Sequence, residues 1–294
     1  MNPLGVHPPV TAVRTAVERA LAEDLEPLGD LTAALLPPEA MASGSIVSRA
    51  PGVIAGSRCA IEAFAQVDPA IEMTWLLDDG SPVARGDVVA RLRGPLASIL
   101  TAERTALNFL GHLSGVATLT RAYVDAATTG GQTRIRDTRK TTPGLRALEK
   151  AAVRAGGGAN HRGNLSEWVL VKDNHLVGMS IAEGVAAARA RWPGRTVEVE
   201  VDRLDQLRQA ITAGADLVLV DNMAPDDVAL AVAERGDARS PLLEVSGGVT
   251  LATVAAYAAT GADLISVGAL THSAPALDLG LDLDSGPGVD RGEA

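Results

Sequence analysis

"TVEVEVDRLDQLRQAITAGADLVLVDN", Thr196–Asn222, reads as strand, helix, strand. The outer pieces are β-branched apolar runs. The piece between them carries apolar residues at i, i+3 and i+4, as an amphipathic helix requires. Two similar strands joined through a helix are expected to be parallel neighbours, because a parallel pair needs a crossover connection. The outer runs collect polar residues at their C-terminal ends, at Glu200, Asp202, Asp221 and Asn222.

The same alternation extends in both directions from about Ala117 onward. "TRIRDT", "WVLVKD", "LLEVSGG" and "DLISVGA" read as further strands, and "PGLRALEKAAVRAGG", "SIAEGVAAARARW", "PDDVALAVAERG" and "TLATVAAYAATGA" as helices. The fold class is α/β, with a C-terminal TIM-like β/α barrel, closed or incomplete. Polar residues gather at the strand ends, at Asp137, Lys172, Asp173, Glu200, Asp221 and Ser246, with Gly268 at the end of the last strand. In a β/α barrel that edge is the mouth where chemistry sits. A doubly wound open sheet is the competing architecture, but no G-x-G-x-x-G follows the first strand, which weakens a dinucleotide fold.

The chain before Ala117 reads as a sandwich-like α+β unit with mostly antiparallel strands. The helix "VTAVRTAVERALAEDL" precedes segments punctuated by Gly and Pro, including "IEMTWLLDDGSPVARGDVVARLRG", which predicts a hairpin with turns at Gly80–Pro82 and Gly86. One or two long helices follow in "PLASILTAERTALNFLGHLSGVATLTRAYVDAA", and the closing "DLGLDLDSGPGVDRGEA" reads as a frayed tail. The expected division is therefore 1–116, 117–280 and a flexible tail at 281–294.

Composition narrows the function. There are 26 Lys and Arg against 36 Asp and Glu, a net charge of -10, and aromatics make up 2% of residues. Acidity disfavours nucleic-acid binding, which requires phosphate neutralisation, and scarce aromatics remove stacking platforms. Cys59 is the only cysteine, so an intrachain disulfide and a cysteine metal cage are excluded. Without a long apolar run or a signal-peptide pattern, the expectation is a cytoplasmic protein with no membrane contact.

One stretch opposes the overall acidity. Arg134–His175 carries nine Lys and Arg against four Asp and Glu. Arg146, Lys150 and Arg154 fall at helical spacing and read as a solvated face. Arg139, Lys140 and Lys172 instead follow or end strands, where a guanidinium fork and a compact ammonium suit a small, highly anionic ligand. Ser246, Gly247 and Gly248, between a strand and a helix, and Gly268, after the next strand, either bind phosphate through backbone N–H groups or only permit tight turns. Glu200 and Asp221 end successive strands. They could hold a hydrated Mg²⁺, stabilise a developing cation, or simply pair with Lys or Arg.

"DTRKTTPGLRALEKAAVRAGGGANHRGNLSEWVLVKDNH" closely resembles the signature of the quinolinate phosphoribosyltransferases. So do "ALAEDLEPLGDLTAALLP", "TAERTALNFLGHLSGVAT", "VEVEVD", "LVLVDNM", "LEVSGGV" and "ISVGALTHS", so the likeness covers nearly the whole chain. Departures are "GHLSG" where that family often has Gln-Arg or Gln-His, which leaves His112 without an assigned role, and Glu167 where Asp is common.

The resemblance implies transfer of phosphoribosyl from phosphoribosyl pyrophosphate to quinolinate with decarboxylation. The products are nicotinate mononucleotide, diphosphate and CO₂, on the route of de novo NAD biosynthesis. It assigns Arg104 (from a neighbouring subunit), Arg139, His161, Arg162 and Lys172 to the quinolinate carboxylates, and Lys140 to phosphoribosyl pyrophosphate and its departing diphosphate. Glu200 and Asp221 go to the ribose hydroxyls and Mg²⁺; Ser246, Gly247, Gly248 and Gly268 go to the 5′-phosphate. Lys140, Lys172, Glu200 and Asp221 are the implied catalytic residues, in a homodimer or a hexamer built from dimers. Rival readings are a relative acting on another pyridine acid or associated with molybdenum uptake, a Schiff-base lyase using Lys172, and a non-catalytic phosphate-ligand sensor.

Overall fold

The computed structural model describes residues 5–237 and 240–284. In chain order it begins with α1 (Val10–Leu25), β1 (Met41–Ser48), β2 (Gly52–Val53) and α2 (Ser57–Val67). These are followed by β3 (Glu72–Trp75), β4 (Pro82–Val83), β5 (Val88–Pro95) and α3 (Leu96–Thr128). The alternating region comprises β6 (Arg134–Arg136), α4 (Arg146–Ala155), β7 (Val169–Val171), α5 (Ile181–Arg191) and β8 (Val197–Val201). It continues through α6 (Leu204–Thr212), β9 (Leu217–Asp221), α7 (Pro225–Arg235) and β10 (Leu242–Ser246). The last elements are α8 (Val254–Ala258), β11 (Leu264–Ser266), α9 (Ala269–His272) and β12 (Leu279–Leu283).

Internal contacts divide the chain into two units. Among the described residues, the first comprises 5–119, Thr142–Gly157 and 273–284; the second comprises Thr120–Thr141 and those within Gly158–His272. The chain is thus not divided by one cut, since two later segments group with the N-terminal part.

In the first unit, an antiparallel sheet has the order β12-β1-β5-β3, and β2 pairs with β4 in a separate two-stranded sheet. The expected turns around Gly80 and Gly86 form, but the intervening β4 leaves the hairpin to pair with β2. Val13, Val17 and Leu21 recur at i, i+4 and i+8 on α1 and are buried. Burial of such side chains stabilises by roughly 1.5–3 kcal/mol each.

Two expectations are corrected here. Residues 281–283 are not a tail: β12 registers antiparallel on β1 from Gly44↔Leu283 to Ser48↔Leu279, because "LGLDL" supplies a two-residue alternation that Gly and Asp obscure. The rest of the expected tail, 285–294, lies outside the described residues. The solvated basic face on α4 is also wrong. Lys150 is 6% exposed, and Arg154 donates to the carbonyls of Gly5 and His7 at 2.8 and 3.1 Å.

The second unit holds a six-stranded parallel sheet in the order β6-β11-β10-β9-β8-β7. The first strand lies beside the last, and the others follow in sequence order. A doubly wound sheet would instead reverse direction at a switch point. The segment at Ala159 bridges in parallel to Arg136, adding a rudimentary strand beyond β6. No pairing joins this segment to β7 among the described residues, so the TIM-like barrel is incomplete.

Local chemistry sets the helices that connect these strands. Ser180 and Glu183 form a reciprocal capping box that starts α5, and Pro225 with Asp226 and Asp227 begins α7 in favour of the helix dipole. Val197, Val199 and Val201 of β8 and Val218 and Val220 of β9 are almost fully buried, which anchors the register on which the site depends.

Candidate active site

Side chains two residues apart on a strand face the same way. That rule sorts the inward residues into two levels: Leu170, Glu198, Leu219 and Glu244 lie one step below Lys172, Glu200, Asp221 and Ser246. The upper level lines a cavity of about 270 Å³, close to the low end of small-molecule pockets. Thr138, Arg139 and Lys140, just after β6, and His161 and Arg162, just after the Ala159 bridge, complete much of its wall. Asp137 builds that corner: its fully buried carboxylate accepts from the backbone N–H of His161 at 2.9 Å and from Asn160 Nδ2 at 2.5 Å.

Charge is unevenly spread around the cavity. Arg139, Lys140, His161, Arg162 and Lys172 line it together with Glu200 and Asp221. Arg162 is 6% exposed; its Nη1 donates to the Trp168 carbonyl at 3.1 Å, and its Nε has no hydrogen-bond partner among the described residues. Burial pulls its guanidinium below the usual range, and neighbouring Arg139 adds to that while Glu198 opposes it. A buried cation beside another favours an incoming anion. Lys172 Nζ is ion-paired with Glu200 Oε2, so an arriving carboxylate would compete with this internal partner.

The glycine elements differ from expectation in one respect. Ser246–Gly248 does not open a helix, since α8 starts only at Val254. Gly247 (φ +87°) instead turns closely against Asn222: an added Cβ would stand 2.2 Å from Asn222 Oδ1 and 2.8 Å from its backbone nitrogen. Asn222 itself has a φ of 55° and donates through Nδ2 to Asp221 Oδ2 at 2.7 Å. Gly268 immediately precedes α9 and allows the aliphatic stem of Lys140 to lie against it.

The level below was not foreseen. Glu198 and Glu244, both fully buried, carry a polar network under the cavity. Glu198 Oε2 accepts from Trp168 Nε1 at 2.8 Å and lies 3.2 Å from His161 Nε2. Glu244 accepts from Arg136 Nη1 at 2.8 Å and from the Ser266 hydroxyl. Burial, then the Glu198 charge, pushes the Glu244 carboxyl above the usual carboxylate range, against the pull of Arg136 and His161. Ligand atoms of His161, Glu198 and Glu244 lie within 4.8 Å of one another. The Arg136 cation and the Trp168 and Ser266 donors already occupy these carboxylates, which disfavours a metal there. The available signal was acid at 198 and 244, sharing a strand face with Glu200 and Ser246.

Two family models match the chain. The quinolinate phosphoribosyl transferase N-terminal domain matches residues 30–114, and the C-terminal domain of the same family matches residues 116–282. The chain belongs to the quinolinate phosphoribosyltransferase family. It is 45% identical over 278 residues to the nicotinate-nucleotide pyrophosphorylase (carboxylating) of Mycobacterium leprae (strain TN), covering 92% of this chain and 97% of that one. The human protein of the same name is 39% identical over 283 residues, covering 94% and 93%. The solved nicotinate-nucleotide pyrophosphorylase of Francisella tularensis superposes with a TM-score of 0.88 at 42% identity, covering 94% and 97%.

For this quinolinate phosphoribosyltransferase family member, the cavity brings together most residues implied by the sequence resemblance. Arg139, Lys140, His161, Arg162, Lys172, Glu200, Asp221 and Ser246 all line it, whereas Gly247, Gly248 and Gly268 flank strand ends without lining it. Arg104 is exposed on α3 in the first unit and is not a lining residue. His112, also in the first unit, has its Nε2 2.8 Å from Glu149 Oε1, whose other oxygen accepts from the Thr142 N–H at 3.1 Å.

Proposed function

We propose that the protein transfers phosphoribosyl from phosphoribosyl pyrophosphate to quinolinate and releases CO₂, giving nicotinate mononucleotide and diphosphate for NAD biosynthesis. Family membership supports the reaction, and one observation supports its location: five cationic or potentially cationic side chains line a cavity that also presents two carboxylates. Two polyanionic substrates would repel each other in water. A wall of fixed donors offsets that repulsion before chemistry begins.

Arg139, His161, Arg162 and Lys172 are proposed to hold the pyridine diacid, with Arg104 contributed by a neighbouring subunit of an oligomer. Lys140 is directed at the diphosphate, where negative charge grows as the bond to ribose breaks. Glu200 and Asp221 take the ribose hydroxyls and oppose the positive charge that develops at C1. Ser246 and the backbone at Gly247, Gly248 and Gly268 receive the 5′-phosphate. The pyridine nitrogen donates its lone pair to C1 as diphosphate departs. The ring N⁺ then accepts the electron pair left at C2 by departing CO₂, and a proton adds at C2.

Glu200 and Asp221 fit Mg²⁺, which takes one or two carboxylates with substrate phosphate oxygens. When bound with the cosubstrate, the ion supplies further neutralisation of the diphosphate.

A Schiff-base lyase is less well supported, because the Lys172 amine that would attack a carbonyl is already engaged in an ion pair with Glu200. No described helix is long and apolar enough to cross a membrane, which is compatible with the cytoplasmic location proposed for the reaction. Diphosphate release that requires both quinolinate and phosphoribosyl pyrophosphate tests the reading. No release would support a non-catalytic sensor, and borohydride trapping of a carbonyl substrate would support the lyase.

A further inference from the structure

Trp168, one residue before β7, meets both loop residues assigned above to the pyridine diacid. Its carbonyl accepts from Arg162 Nη1 at 3.1 Å, and its ring centroid lies 4.9 Å from that of His161 at a tilt of 56°. Its indole N–H donates to Glu198 Oε2 at 2.8 Å, and the same oxygen lies 3.2 Å from His161 Nε2. The Arg136 guanidinium stands over the indole, 5.8 Å from its centroid. Glu198 is fully buried, and its Oε1 has no hydrogen-bond partner among the described residues. Neither Trp168 nor Glu198 lines the cavity.

His161 and Arg162 follow only an isolated bridge, not a regular strand. Side chains on such a segment present a fixed geometry only when other groups lock them. A shared carboxylate oxygen orients His161 and Trp168 together, while the Trp168 backbone carbonyl fixes one arm of Arg162. We propose that Trp168 and Glu198 form a positioning pair that sets affinity for the pyridine diacid without touching it. This inference rests on the assignment of His161 and Arg162 to that substrate.

The separating substitutions are Trp168→Phe, which removes the indole N–H but keeps an aromatic ring, and Glu198→Gln, which removes charge but retains an acceptor. Loss of a hydrogen bond to a charged group is expected to raise the quinolinate KM about tenfold or more in Trp168→Phe. Glu198→Gln should raise it less, because the amide oxygen still accepts from Trp168. The phosphoribosyl pyrophosphate KM and saturated kcat should stay near those of the unaltered protein in both variants, while Trp168→Phe lowers the thermal midpoint because a buried carboxylate oxygen loses a donor.

Unchanged quinolinate KM in both variants would overturn the positioning pair. So would a common loss of stability and both substrate affinities, because that pattern marks a purely structural role. Absence of turnover by the unaltered protein would overturn the site assignment and this inference with it.

Discussion

Gly268 leaves room for the Lys140 stem: a Cβ added to the glycine would stand 3.0 Å from Lys140 Cδ and 3.2 Å from His272 Nε2. The Thr271 hydroxyl also donates to the Lys140 carbonyl at 2.7 Å, so both stem and backbone of this lysine are held. Lys140→Ala is expected to lower kcat by ~10²–10³. Gly268→Ala should produce a smaller loss by displacing the stem. Thermal midpoints should change little in either variant; turnover of Lys140→Ala close to that of the unaltered protein would contradict the role.

Gly247 and Gly248 separate backbone strain from steric conflict. Both have positive φ, but an added Cβ at 247 meets Asn222 at 2.2 Å, whereas at 248 nothing lies within 4 Å. Gly248→Ala should therefore cost about 1–2 kcal/mol from conformation alone. Gly247→Ala should cost more and also raise the KM for phosphoribosyl pyrophosphate. Urea unfolding checks the order, and a larger loss at 248 would contradict it.

Much of this site was legible because apolar parallel strands leave their chemistry at their C-terminal ends. Lys172 and Asp221 stand out as polar interruptions after runs of Val and Leu, Glu200 and Ser246 sit at the polar ends of their strands, and all four reach the cavity. Glu198 and Glu244 were hidden for the opposite reason. In "VEVEV", alternating acid resembles the wet face of a half-buried strand, and only burial of both faces of the strand reverses that meaning. Arg136 and Glu244 are 108 residues apart, so no local spacing announces their contact. Lys150 was misplaced because helical periodicity identifies a face without stating which surface covers it.

The buried lower level predicts a pH response. The raised Glu244 carboxyl retains its proton in the folded chain above the pH at which the unfolded chain loses it. This group's contribution therefore falls as pH rises through the window between the unfolded and folded values. Glu244→Gln has no such proton to lose, so its stability relative to the unaltered protein should increase across that window. Urea midpoints from acidic to neutral pH measure the difference; the opposite slope would contradict the direction assigned to Glu244.

Arg104 tests the proposed shared site. Arg104→Ala and Lys172→Ala should each fold yet turn over poorly. Mixed under conditions that exchange subunits, they should recover partial activity, because hybrid oligomers contain a site with both residues intact. Verified exchange without recovery would show that Arg104 does not complete a neighbour's site.

The central claim is that this chain couples phosphoribosyl transfer to loss of the 2-carboxylate. It is tested most directly by incubating the unaltered protein with quinolinate labelled in that carboxylate, phosphoribosyl pyrophosphate and Mg²⁺. Labelled CO₂, diphosphate and nicotinate mononucleotide should appear in equal amounts. Diphosphate without labelled CO₂, or no mononucleotide from a folded protein, would contradict the account.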